Sequence, residues 1–334
     1  MQQQGTFCDF SGGDSWVIMT PIEQSIKRKI EAVGVPLKDW DIQINYGIKT
    51  GYNDAFIITS TKRDEILANC KTEEERSRTD EIIRPILRGR DIKRYGYEWA
   101  NLYLIATFPA RHYNIDSFPA VKEYLLSFAY DSLLENGNDW VAKNYLVEFC
   151  KQKLEQTGQE IIINGKYVLD PQGHKEKSRK RTNNKWFETQ DSISYWEDFS
   201  RPKIIWKRIG SILRFSYDES GAFGLDSTCI ATGAHIPYIC CILNSLMGHY
   251  LLKDSPKTGT GDLLVSVQAI NPVKVPYSEE SEKRLTALLQ KNLSQDQISI
   301  DEDVNRIVFS SYGLSKEEID YVTFFVRQSQ QSLL

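Results

Sequence analysis

The sequence predicts an α+β fold: small mixed sheets with helices around them, a helical insert in the middle, and a small helical region at the C-terminal end. Three observations carry this. Apolar residues recur at helical spacing near both ends of the chain. Short β-branched runs bounded by Gly, Asn and Pro recur between them. The two kinds of segment alternate without an internal repeat.

Taken in order, the first element is a helix with a strong start signal. Thr20, Pro21 and Glu23 supply an N-cap, a proline at the first helical position and a capping-box carboxylate. Ile22, Ile26, Ile30 and Val33 line one face, and Gly34 ends the helix ahead of Pro36. Strand-like runs follow at residues 42–44, 55–59 and 102–107, with Gly47 and Gly51 as punctuation. Between the last two, residues 62–88 are charged and read as helical. Helices are expected at 119–134, with Val121, Leu125 and Phe128 on one face, and at 140–154. Residues 161–163 and 166–169 flank Asn164-Gly165, the pair that takes the left-handed angles of a two-residue hairpin turn. Residues 172–185 show no apolar period and read as an exposed basic loop. Strands resume at 203–206, 212–217 and 223–231. A buried helix follows at 237–252, then a last strand at 263–269. Residues 279–293, 301–312 and 316–328 complete the chain as helices. The expected organisation is a lead-in and linker helix (1–40), a first sheet segment (41–117), the helical and hairpin insert with its basic loop (118–190), a second sheet segment (191–277) and the helical tail (278–334).

Composition narrows the class. With 41% hydrophobic and 26% charged residues over 334 positions, the chain can bury a sizeable core and is not a disordered polymer. The most apolar helix, at 236–252, is broken by Asn244, Ser245, Gly248 and His249. It falls short of the roughly 20 apolar residues of a membrane span. The N-terminus has neither the basic start nor the apolar run of a signal peptide. Six cysteines without regular spacing suit a reducing compartment, so the cytoplasm is the expected location.

The net charge of −4 argues against a protein whose whole surface grips nucleic acid. The charge is segregated, however. Residues 172–186 carry Lys175, Lys177, Arg179, Lys180, Arg181 and Lys185 against the single acid Glu176. Residues 199–215 carry Arg201, Lys203, Lys207, Arg208 and Arg214 with no acid. Residues 84–94 carry Arg84, Arg88, Arg90, Lys93 and Arg94 against Asp91. Basic patches on an acidic body fit a DNA-contacting face, while any single run also fits ordinary solvated surface.

Several blocks then match a known family in its order. They are Gly47-Ile48-Lys49-Thr50-Gly51-Tyr52-Asn53-Asp54-Ala55-Phe56, Ile86-Leu87-Arg88-Gly89-Arg90-Asp91-Ile92-Lys93-Arg94-Tyr95, Lys203-Ile204-Ile205-Trp206, Leu225-Asp226-Ser227-Thr228 and Ile242-Leu243-Asn244-Ser245. On these, the chain resembles the TaqI-like C-terminal specificity domain of adenine-N6 DNA methyltransferases, in particular the recognition half of fused type IIG restriction–methylation enzymes. The likeness covers roughly residues 16–277. Ser15-Trp16-Val17-Ile18 with the helix after it is similar to the segment joining such a domain to its methyltransferase. The insert at about 118–190 departs from the simplest pattern, so what it recognises does not carry over. The resemblance implies a mixed-sheet target-recognition domain that reads a short sequence in double-stranded DNA. A methyltransferase domain, with or without a nuclease domain, in the same or a partner chain would perform the chemistry. S-adenosylmethionine and magnesium are expected only in those catalytic parts of the parent, and no cofactor or metal in this chain. The short lead-in before Trp16 is expected to continue from a larger parent.

The residues themselves offer little catalysis. An adenine methyltransferase needs an Asn-Pro-Pro-Tyr/Phe motif to hold the flipped base, and Asn271-Pro272-Val273-Lys274 has only its first two letters. Gly259-Thr260-Gly261-Asp262 reads as a turn, and Gly165-Lys166-Tyr167 as a hairpin turn rather than a phosphate loop. Cys229, His235, Cys240, Cys241 and His249 crowd together without a Cys-x-x-Cys pair, which favours packing over a metal site. The other histidines, His112 and His174, have no nucleophile near them in sequence. Two alternatives remain: a stand-alone metal-dependent nuclease on Asp80, Asp91 and Lys93, and a specificity subunit that docks proteins. The residues expected to meet DNA are Lys49, Tyr52 and Asn53; Arg88, Arg90, Lys93 and Arg94; Lys175, Lys177, Arg179, Lys180, Arg181, Lys185 and Trp186; and Lys207 and Arg208. The loop at 175–185 is the first candidate to enter a groove, and Arg88 to Arg94 to track the backbone.

Overall fold

A computed structural model describes residues 19–126, 155, 162–164, 167–169, 184–294 and 299–331. Along the chain come α1 (Pro21–Val33), β1 (Val35–Pro36), β2 (Ile42–Tyr46), α2 (Asn53–Phe56), β3 (Ile57–Thr59), α3 (Ser60–Ala68), α4 (Glu73–Ile82), β4 (Ile83–Leu87), β5 (Leu102–Ile105) and α5 (Pro119–Leu126). Then come β6 (Ile162–Asn164), β7 (Tyr167–Leu169), β8 (Lys203–Lys207), β9 (Ile209–Gly210), β10 (Phe215–Asp218), β11 (Phe223–Gly224) and β12 (Thr228–Gly233). The chain continues with α6 (Ile236–Asn244), α7 (Leu246–Leu251), β13 (Leu263–Leu264), α8 (Val267–Ile270), β14 (Lys274–Val275), α9 (Glu279–Ser294), α10 (Asp301–Ser311) and α11 (Lys316–Gln331). The mixture is α+β, as the alternating periods predict.

These elements form two compact units that interleave in sequence. One holds residues 1–46, 88–98 and 198–334; the other holds residues 47–87 and 99–197.

The first unit is built on an antiparallel sheet of order β10-β8-β12-β2. Strand β8 lies inside it, and Lys203, Ile204, Ile205 and Trp206 are all buried. The sequence 93–97 lies along β10: Tyr95, at φ 68°, exchanges backbone hydrogen bonds with Phe215 and Tyr217 at 2.9 and 2.8 Å. Helix α6 is apolar on nearly every side, the mark of a helix covered all round, and all of it but Pro237 is buried. The expected single helix over 237–252 is two helices. Ser245 is extended and caps α7 by accepting from Gly248 N–H at 3.0 Å. Gly248 permits the break, because a Cβ there would stand 2.2 Å from the Ile242 carbonyl.

Helix α1 has the expected capping box, with Thr20 N–H donating to Glu23 at 2.8 Å. Ile26 is buried and Ile22 and Ile30 pack beside it, but Val33 is exposed. Gly34 ends the helix in an extended conformation, not a left-handed one; a Cβ there would meet the Ile30 carbonyl and Lys274, both at 2.7 Å. The tail helices are found close to their expected limits. Leu285, Leu289, Val304, Ile307, Val308, Tyr312, Val322 and Val326 join the core around Trp206, Phe215 and Tyr238. Polar ties fasten α11 to α1: Glu318 accepts from Ser25 and Lys29 at 2.8 and 2.7 Å, and Tyr321 donates to Glu23 at 2.9 Å.

The second unit contains β5 between β3 and β4, both antiparallel to it. The continuous helix expected over 62–88 is instead α3, α4 and then strand β4. Pro85 denies the last segment a helical hydrogen bond and biases Arg84 toward extended backbone. Buried Glu75 joins two elements, accepting from Lys71 N–H at 2.9 Å and from Ala120 N–H, in the first turn of α5, at 3.1 Å. The hairpin strands are present, with β6 and β7 antiparallel and Ile163 opposite Val168, but Asn164, expected in the turn, is the last residue of β6 and pairs with Tyr167. The helix expected at 140–154, the later part of that at 119–134, and the basic loop lie outside the described residues.

Two further strands are shorter than their apolar runs. The 223–231 run divides into β11 and β12 around a turn closed by Thr228 donating to Leu225 O at 2.7 Å. The run at 263–269 is β13 for two residues and then helix α8. Among the described residues no helix is long and apolar enough to cross a membrane.

Candidate nucleic-acid interface

Of the residues 199–215, which carry five cations and no acid, only some reach solvent. Arg201 is exposed and paired with Asp198 at 3.3 Å. Lys203 has no exposed surface; its ammonium sits on the equally buried Asp218 and donates to Phe199 O at 2.6 Å. Lys207, at the end of β8, is exposed and has no ion-pair partner among the described residues. Arg208 follows it with its guanidinium over the Tyr46 ring, 5.8 Å from the centroid. Burial along β8 therefore sorts the run: Lys203, at the start of the strand, is buried on Asp218, and the other end turns Lys207 out to solvent.

The turn at 89–91 lies against the same strand end. Gly89 N–H donates to Ser227 Oγ at 3.0 Å, and a Cβ on Gly89 would be 2.9 Å from Lys207 Cγ. Arg90, next along, is exposed and has no ion-pair partner among the described residues. Arg90, Lys207 and Arg208 thus share one end of the first unit's sheet.

The other cations predicted nearby are engaged. Arg88 grips Asp91 through Nε and a terminal nitrogen at 3.0 and 2.7 Å, while its backbone N–H donates to the same carboxylate at 2.8 Å. That hydrogen bonding raises the Arg88 guanidinium above its ordinary value. Lys93 pairs with Glu98 at 3.1 Å. Arg94 turns inward to Asn244 O at 2.6 Å and Asp301 at 2.8 Å. Asp91 is therefore held by arginine, and Asp80 is bound by Arg63.

In the second unit, the loop before α2 is fastened to residues 189–191. Lys49 N–H donates to Asp191 at 3.1 Å, and Gln190 N–H to Thr50 O at 3.0 Å. Gly51 has φ +80°, and Asn53 accepts from the Thr50 hydroxyl at 2.6 Å. Asn53 is exposed, Tyr52 half-buried, and the Lys49 side chain stands in solvent. Asn184 continues the network by donating to Thr189 O and Gln190 O, both at 2.8 Å. Next to it Lys185 lies 5.6 Å from the Phe187 ring, and Trp186 meets that ring edge-on. Hydrogen bonds therefore tie the loop of Lys49, Tyr52 and Asn53 to residues 189–191 and through them to Asn184, the residue before Lys185 and Trp186. Lys175, Lys177, Arg179, Lys180 and Arg181 lie outside the described residues, as does His174.

Two residues at the sheet end carried no signal in the sequence. Tyr46 supports Arg208, and its hydroxyl donates to Gln268 Oε1 at 3.1 Å. Gln268 escaped notice because residues 263–269 read as one strand; helix α8 turns it to the surface. The crowded thiols are packed: Cys240 and Cys241 donate to Phe215 O and Leu285 O at 3.5 Å, and burial pushes both well above the ordinary thiol range. Among the described residues, no group of three His, Cys, Asp or Glu side chains could hold a metal ion.

Comparison with known proteins finds a match over part of the chain. Residues 140–265 match the TaqI-like C-terminal specificity domain. The fold is similar to that of the type IIL restriction-modification enzyme MmeI, solved in complex with DNA, with a TM-score of 0.51 and 10% identity over 89% of this chain and 36% of that one. The type IIG restriction endonuclease BpuSI matches with a TM-score of 0.48 and 11% identity, over 93% of this chain and 33% of its own. The chain thus spans about a third of each of those two structures. No curated protein sequence matches it.

Proposed function

We propose that this chain reads a short sequence in double-stranded DNA for a restriction–modification system and carries no catalytic site of its own. The match of residues 140–265 to a specificity domain carries the proposal, because it spans Lys207, Arg208 and the basic loop. In the finer form of this proposal the system is a type IIG adenine-N6 methyltransferase and endonuclease. Its methyltransferase domain, in the same or a partner chain, uses S-adenosylmethionine, and any nuclease part uses magnesium, both bound outside this chain. The setting is the cytoplasm, where such a system meets DNA. The five expected parts from the lead-in (1–40) to the helical tail (278–334) remain the proposed division of labour, with the sheet segments as the recognition domain.

The chemistry of the surface supports this reading. Arg90, Lys207 and Lys49 present ammonium or guanidinium groups to solvent, the groups that neutralise phosphates and release counterions. In this reading the loop cations Lys175, Lys177, Arg179, Lys180 and Arg181, with Lys185 and Trp186, would supply the same chemistry in a groove. Arg88, Lys93 and Arg94 serve indirectly: their intramolecular pairs hold the 88–98 segment that presents Arg90. The trio Asp80, Asp91 and Lys93 is committed to neighbouring side chains, so nothing specific favours a nuclease reading. The purified chain, incubated with a randomised duplex library, should enrich a short motif on sequencing of the bound fraction. Retention without any enriched motif would contradict sequence reading.

A further inference from the structure

We propose that Arg208, supported by Tyr46 and accompanied by Gln268, reads the major-groove edge of a guanine; this rests on the duplex-recognition reading above. Three features separate Arg208 from the other cations at the sheet end. First, its backbone is fixed on both sides: its N–H donates to Ser227 O at 2.9 Å, and its carbonyl accepts from Val265 N–H at 2.8 Å. Val265 is itself anchored, its carbonyl accepting from the Trp206 indole at 2.8 Å. Second, the guanidinium lies over the Tyr46 ring, a contact that orients its plane. Third, Nε is buried without an acceptor, whereas the terminal nitrogens are not buried and bond nothing among the described residues. What remains outward is a pair of parallel donors.

Gln268 extends this donor row. Its amide oxygen is occupied by the Tyr46 hydroxyl at 3.1 Å and the Ser266 hydroxyl at 2.8 Å. The carbonyl is thereby held toward the protein and the NH₂ group is left over. A pair of parallel donors selects the base edge that offers a pair of acceptors; thymine offers only O4 beside its methyl group. Guanine presents O6 and N7 in the major groove, while adenine and cytosine each place an amino donor there. Among the described residues no aromatic ring supports Lys207 or Arg90, and both suit phosphates, where a charge without fixed direction suffices.

The test repeats the library selection with the full chain carrying Arg208→Ala or Arg208→Lys. Lysine keeps the charge and loses the fork. The wild-type motif should contain a G·C position whose preference falls about 5- to 150-fold in both variants, the range a bidentate arginine–guanine pair supplies. The other positions should stay as they were, and Arg208→Lys should keep the wild-type salt dependence. Gln268→Ala should weaken preference at the same position or at its neighbour. If preference at every G·C position survives both Arg208 changes, the assignment is wrong while duplex recognition stands. If wild-type protein enriches nothing, the duplex reading fails before any substitution is made, and this inference falls with it.

Discussion

Lys203 and Asp218 form an ion pair with no exposed side-chain surface on either partner, between adjacent strands of the first unit's sheet. Asp218 also accepts from the Tyr97 hydroxyl at 2.7 Å and the Ser220 hydroxyl at 2.7 Å, so its lone pairs are well used. Burial would raise this carboxyl, but the Lys203 ammonium and the two hydroxyls outweigh it and hold it below the usual carboxylate range. Removing one partner leaves a buried charge without compensation. Asp218→Ala should therefore cost about 3–5 kcal/mol of unfolding free energy, measured by urea denaturation at neutral pH. A loss under about 1 kcal/mol would show that the pair is hydrated in solution. Because the folded value is lowered, the stability from this carboxylate is present above the ordinary aspartate range and is lost as pH falls through the folded value.

His249 gives a second pH-dependent term in a different window. Burial, with the positive charge of Arg94, pushes its imidazole down to about 4, so it is neutral at pH 7. The unfolded chain binds the proton near pH 6.5 and the folded chain does not. Stability should thus decline as pH drops from about 6.5 to about 4, by roughly 2–3 kcal/mol, and this term should add nothing further below that. His249→Gln should flatten the slope in that window. An unchanged slope would mean that other groups produce it.

Asp301 connects the helical tail to the 88–98 segment. It lies in the first turn of α10 and accepts from the Tyr95 hydroxyl and from Arg94, both at 2.8 Å. Asp301→Ala removes a helix-start carboxylate and leaves Arg94 half satisfied. The expected loss is about 1.5–3 kcal/mol, typical of hydrogen bonds to charged groups. Increased hydrogen exchange of the Tyr95 and Tyr217 amides should accompany it; unchanged protection there would separate the tail from the segment that presents Arg90.

Charge contacts predict additive changes in salt dependence. Lys207→Ala and Arg90→Ala should each reduce the slope of log affinity against log salt by about 1, with no change in the enriched motif. Changing Arg179, Lys180 and Arg181 together to Ala should reduce it by about 2–3, since each phosphate neutralised contributes about 0.9. Fluorescence anisotropy on one labelled duplex measures all three. A slope unaffected by the triple change would remove the basic loop from the contact surface.

Element types were legible where local signals were strong. The Thr20 capping box and the helical period of the tail each state their structure in adjacent residues. Element limits failed where tertiary context decided them. Nothing in the run 237–252 says that Gly248 must approach Ile242 closely, so one helix was expected where there are two. The charge runs showed where cations cluster but not which way they point. Lys203 and Lys207 lie on one strand, and only the pairing of β8 sends the first into the core and leaves the second in solvent. Gln268 was invisible for a related reason, since its apolar neighbours resemble a strand until Ser266 and helix α8 redirect it.

The most direct measurement is equilibrium binding of the purified chain to double-stranded DNA across 50–300 mM salt, with the enriched motif and a scrambled duplex in parallel. Affinity should fall log-linearly with a slope of about −4 or steeper, as for several phosphates neutralised, and the motif should bind at least about 10³-fold more tightly than the scramble. No binding to either duplex at 50 mM salt, or cleavage or methylation by this chain alone, would contradict the proposed role.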